Sequence, residues 1–141
     1  MDLWPEEITE SSGSLSPLTL IKEQAKLLGE KTNSIVLAGV RQKNVNSQSN
    51  YFFYDFFIES GIEMYRFVLF TFRFTYNLYP VYVSIDEDIE NEFIDKLKIF
   101  QSKDTRESVI KTEEDMINIL GLILNSTKTK KIIRALVEMN N

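Results

Sequence analysis

The sequence predicts an α+β domain: an N-terminal helix, a four-stranded antiparallel meander and three C-terminal helices packed on the sheet. Three observations carry this. Apolar residues after Ser16-Pro17 follow a helical 3-4-3 spacing. From residue 34 the period changes to two, with aromatic and β-branched residues concentrated up to residue 85. Beyond Asp86 the helical spacing returns three times. Strands followed by a run of helices, rather than alternating with them, give the α+β class.

The elements follow in order. Residues 1–15 read as a flexible acidic lead-in, with Asp2, Glu6, Glu7 and Glu10 ahead of Ser11-Ser12-Gly13-Ser14. Residues 16–141 form the domain. Ser16 can accept a bond from free helical amides, and Pro17 suits the first helical turn, where its missing N–H has no partner to lose. Leu18, Ile21, Ala25 and Leu28 make the buried stripe, and Gly29 with Thr32-Asn33 marks the end. Strands are expected over 35–42, 51–59, 62–74 and 81–85. A helix should run from Asp86 to about Gln101 on Ile89, Phe93, Leu97 and Phe100, followed by a polar break at 102–106. Thr112-Glu113-Glu114-Asp115 resembles a capping box opening a central helix. The last helix, about 129–139, should bury Ile132, Ile133, Leu136 and Met139.

Ser60-Gly61 is expected to be a two-residue hairpin turn, since Gly accepts the positive φ such turns need. Glu59 would then pair with Ile62, Tyr54 with Phe67, Phe56 with Tyr65, Phe52 with Leu69, and Asp55 would neutralise Arg66 across the ladder. That register sorts the faces. One carries Phe52, Tyr54, Phe56, Ile58, Tyr65, Phe67 and Leu69. The other carries Phe53, Phe57, Met64, Val68, Phe70, Phe72 and Phe74 around the Asp55–Arg66 pair. A sheet with one face in water should alternate apolar and polar residues, and this one does not. An uncovered second face would exceed the apolar patch that monomers usually expose. A symmetric homodimer would cover it, so Phe53, Phe57, Met64, Val68, Phe70 and Phe72 are the expected dimer or partner face.

The 141-residue chain contains no His and no Cys. That excludes Ser-His-Asp and Cys-His sites, a conventional His/Cys zinc site and any disulfide. The acidic run 86–92 fails as a calcium loop, because Asn91 and Leu97 stand where an EF-hand needs Gly and Glu. Ser108-Val109-Ile110-Lys111 matches a Ser-x-x-Lys pattern without its companion motifs and carries no weight. Asn125-Ser126-Thr127 matches a glycosylation acceptor that, without a secretion signal, is coincidence. Thr127, Lys128, Lys130 and Lys131 open a helix with cations beside free amides, so they are the candidate anion site. A solvated outer face is the plainer account of that charge run. Exposed aromatics could stack on bases, yet the net charge of −5 argues against nucleic acid.

No basic and apolar leader or spanning run is present, so the expected setting is the cytoplasm, with no membrane partner. No cofactor or metal is expected. Together these features predict a non-catalytic protein-interaction or regulatory module, homodimeric through its apolar sheet face. The alternative is a small-molecule binder or carboxylate-based enzyme with a pocket between sheet and helices. Tyr54, Tyr65, Asp55 and Arg66 would be its polar groups.

Overall fold

The computed structural model describes residues 1–7, 16–43, 49–60 and 65–140. The α+β class holds, with five strands instead of four. Helix α1 (Pro17–Lys31) precedes β1 (Val36–Gln42), β2 (Phe52–Ser60), β3 (Arg66–Phe74) and β4 (Val81–Ile85). Short helices α2 (Glu87–Glu92) and α3 (Ile94–Leu97) and a 3₁₀ turn (Lys98–Phe100) lead to β5 (Ser108–Ile110). Helices α4 (Glu113–Leu124) and α5 (Thr127–Met139) complete the fold. The sheet order is β1-β2-β3-β4-β5, antiparallel throughout.

Caps set the helix starts where the sequence put them, with one shift. Ser16, Asp86 and Thr112 each accept bonds from amides of the first turn. For α5 the cap is Ser126, fully buried, so this helix starts two residues earlier than the apolar spacing suggested. Helix α1 runs through Gly29 to Lys31. It stops because Asn33 and Ser34 take left-handed φ values of 52° and 65° and return their amides to Glu30 and Gly29. The single helix expected over 86–101 is instead broken at Phe93. The fifth strand escaped the sequence reading because three residues are too few to show a period of two.

The β2–β3 register differs from the expected one. Glu59 pairs with Arg66, not Ile62, and the Ser60 amide reaches the Tyr65 carbonyl, so the connection is longer than a two-residue turn. Gly61, Ile62 and Met64 lie outside the described residues. Asp55 therefore stands opposite Thr71 rather than Arg66, Tyr54 opposite Phe72 rather than Phe67, and Phe52 opposite Phe74 rather than Leu69.

A β-bulge then changes the faces. Phe57 pairs with Val68 and Phe56 with Phe70, leaving Leu69 as the extra residue. Up to Val68 the two-fold alternation runs as the sequence implies; beyond the bulge it is inverted. Phe70, Phe72 and Phe74 consequently join Phe52, Tyr54 and Phe56 on the inner face. There Phe56 stacks on Phe70 with centroids 5.0 Å apart, Tyr54 stacks on Phe72 at 5.4 Å, and Phe72 lies beside Phe74 at 6.2 Å.

The helices pack on that inner face. Leu20 and Ile21 from α1, Ile89 from α2, Met116, Ile119, Leu120 and Ile123 from α4, and Leu136 from α5 close one core over these rings. Leu69 belongs to it as well, fully buried, so consecutive residues Leu69 and Phe70 both face inward. The assignment of Phe70, Phe72 and Phe74 to a second, uncovered face is thereby corrected: their rings are the floor of the monomer's own core.

Candidate functional site

What remains on the outer face is mixed. It carries Gly39 and Arg41 from β1, Phe53, Asp55, Phe57 and Glu59 from β2, Arg66, Val68, Thr71 and Arg73 from β3, and Tyr82 from β4. Of the six expected dimer-face residues, Phe53, Phe57 and Val68 are here, Phe70 and Phe72 are in the core, and Met64 is outside the described residues. None of Phe53, Phe57, Val68 and Tyr82 joins the helix-covered core.

Arginines shield the aromatics of this face. Arg66 lies 4.0 Å over the Phe57 ring while pairing with Glu59 at 2.9 Å. The Phe57 ring also occupies the space above Gly39: a Cβ there would come within 2.6 Å of it, which is why that strand position takes a residue without a side chain. Arg73 sits between Tyr51 and Tyr82, 4.4 and 4.0 Å from their centroids, and donates to both carboxylate oxygens of Glu107 at 3.1 and 3.0 Å. That bidentate pair pushes the Arg73 pKa further up, against a smaller lowering by burial.

Asp55 is 4% exposed, flanked along β2 by Phe53 and Phe57. Its partners are Arg41 at 3.2 Å and Lys43 at 3.4 Å, not Arg66. Both cations are half-exposed, so they roof the carboxylate from the solvent side. The sequence correctly signalled that a mid-strand Asp needs a cationic neighbour. It named the wrong one because β1, not β3, supplies it.

The four groups expected to form a catalytic or ligand pocket do not meet. Tyr54 is stacked on the inner face, Asp55 and Arg66 are on the outer face in separate pairs, and Tyr65 borders a groove beside α5. A cleft of about 220 Å³ does lie between sheet and helices, floored by Phe56 and Ile58 and flanked by Leu28, Lys31 and Asn125. The alternative reading placed a pocket between sheet and helices, but none of its four expected polar groups lines this cleft, since the lining depends on the spacing of α1 from α5.

The candidate anion site is occupied from within the chain. Glu92, at the end of α2, accepts from the Thr127 amide at 2.9 Å and from the Thr127 hydroxyl at 2.6 Å. The helix end attracts a carboxylate, as its free amides should, and the protein supplies one. Lys128 turns away to Asp86 and Asp88, at 2.9 and 2.6 Å, and covers the Phe67 ring. Lys130 and Lys131 stay on the exposed side of α5. Below them Ser126 donates to Thr129, whose hydroxyl donates to the Ile123 carbonyl, so the buried polar groups at this joint are satisfied.

These contacts shift two charges in opposite directions. The Thr127 hydroxyl and amide hold the Glu92 carboxyl below its ordinary 4.5. Asp88 first, then Asp86, hold Lys128 above 10.5. A depressed carboxyl stabilises the fold above its unfolded pKa and loses that contribution as pH falls through the folded value. Stability should therefore decline on acidification below the ordinary carboxylate range. Thermal melts of Glu92→Gln between about pH 3 and 7 should show a flatter acid limb than wild type. Parallel curves would show that the Glu92–Thr127 contact contributes nothing pH-dependent.

Among the described residues, no group of three or more carboxylates is placed to hold a metal ion. None of their helices is long and apolar enough to cross a membrane. No family model matches the chain, and neither a curated protein nor a solved structure matches it.

Proposed function

We propose that the chain is a non-catalytic protein-interaction module that works as a homodimer and uses the outer face of its sheet as the working surface. The observation that carries this reading is the layering: the helices pack on one face, while Phe53, Phe57, Val68, Tyr51 and Tyr82 lie on the other among arginines. Aromatic residues and Arg are the types enriched where interfaces concentrate their binding energy.

Charge supports it further. The outer face sets Arg41, Lys43, Arg66 and Arg73 against Asp55, Glu59 and Glu107, one cation in excess, within a chain of net charge −5. An acidic protein can meet a partner on this face without strong repulsion. The acids and bases here are also already paired, which favours binding over acid–base chemistry.

Sedimentation velocity over the micromolar range tests the reading. A dimer is expected for wild type and for Val68→Asp, a change on the working surface. A wild-type monomer throughout would overturn it. Loss of the dimer in Val68→Asp alone would assign the outer face to the dimer itself.

A further inference from the structure

The two edges of the sheet are treated differently. Strand β5 is three residues long, and Gln101 bridges to Ser108 on its far side while the Ser102 amide reaches the Glu107 carbonyl. That edge is short and occupied, as edges of soluble sheets usually are. Strand β1 is seven residues long and lacks proline, bulge and charge until Arg41.

The direction of the β1 backbone groups follows from two contacts. The Lys43 amide bonds to the Phe53 carbonyl, so the odd-numbered residues of β1 face β2. The even-numbered ones face outward. At Val36 both outward groups are taken by the Thr32 hydroxyl, which accepts from the Val36 amide at 3.1 Å and donates to its carbonyl at 2.8 Å. At Ala38, Val40 and Gln42 the outward N–H and C=O have no protein partner among the described residues.

We propose that β1 is the joint of the homodimer: two copies pair antiparallel through this edge, about a two-fold axis at Val40, into one continuous sheet. This rests on the homodimer reading above and names its interface. The strand is complementary to itself. With Val40 facing its own counterpart, Ala38 faces the partner's Gln42, and each outward N–H meets a carbonyl with none left over. Arg41 faces the partner's Gly39, so like charges do not oppose each other, as they would in a parallel, in-register pairing. On the inner side Ala38 and Val40 already pack against the core, which pairing would extend across the joint. The outer faces of both copies then stay free and lie side by side.

Val40→Pro is the direct test. It deletes an outward N–H that serves no bond within the chain, so the ladder to β2 is left in place. Sedimentation velocity should give a dimer for wild type and for Val68→Asp, and a monomer for Val40→Pro with an unchanged circular dichroism spectrum. A Val40→Pro dimer would overturn the edge joint while the homodimer reading stands. A wild-type monomer would overturn both. Should Val40→Pro fail to fold, amide exchange in wild type decides. The Ala38, Val40 and Gln42 amides should slow by about tenfold or more as concentration rises through the dimerisation range, while Gly39 and Arg41 change little. Concentration-independent exchange at those three amides in a dimeric sample would overturn the proposal.

Discussion

Phe72→Asp should abolish folding. Its ring is 2% exposed, stacked on Tyr54 and beside Phe70 and Phe74, with no cationic partner among these rings. An unpaired carboxylate there costs more than about 4–5 kcal/mol, a large share of the stability of a domain this size. Val68→Asp, four residues earlier on the same strand, lies on the other side of the bulge at 36% exposure and should cost less than about 1 kcal/mol. Without the bulge, positions 68 and 72 would share a face and the two substitutions would behave alike. Denaturant unfolding of both variants measures the contrast; a folded, soluble Phe72→Asp protein would show that the inner face has been misassigned.

Leu69→Ala should destabilise the fold as a full core truncation does, although Leu69 is the extra residue of a bulge. An extra residue in a bulged strand could point to solvent, yet Leu69 is fully buried and its carbonyl accepts the Asp86 amide that opens α2. Deleting the side chain leaves a cavity between sheet and helices, at a cost of about 3–5 kcal/mol and a fall in melting temperature of roughly 10 °C. A change within about 0.5 kcal/mol would mean that the side chain is not part of the core.

These two positions also mark how far the sequence could be read. Local signals were legible: Ser16 with Pro17, Asp86 and Thr112 each sit at a helix start. The four longer strands were recognisable from their aromatic and β-branched density. The bulge was not, because Val68-Leu69-Phe70 contains nothing but apolar residues, and an apolar run carries no mark of where alternation slips. That one-residue slip is what made the sheet look apolar on both sides. The true register was hidden for a similar reason. Glu59–Arg66 and Asp55–Arg66 are both acceptable charge pairs, and only the length of the connection decides between them.

Of the candidate sites, the basic start of α5 was legible as a place that wants an anion, since free amides and lysines are local features. That Glu92 would fill it depends on α2 being packed beside α5, a tertiary fact with no local trace. The arginine–aromatic arrangement of the outer face was equally hidden. Arg73 and Glu107 are 34 positions apart and meet through β5, the strand too short to announce itself.

The occupied edge at β5 bears on how far assembly can go. A sheet with two open ends can add copies indefinitely at either one, which is the geometry of a fibre. Here the bridge from Gln101 to Ser108 closes one end. Any growth by strand pairing at β1 is therefore terminated by the first copy that binds, since the copy brings no second open end of its own.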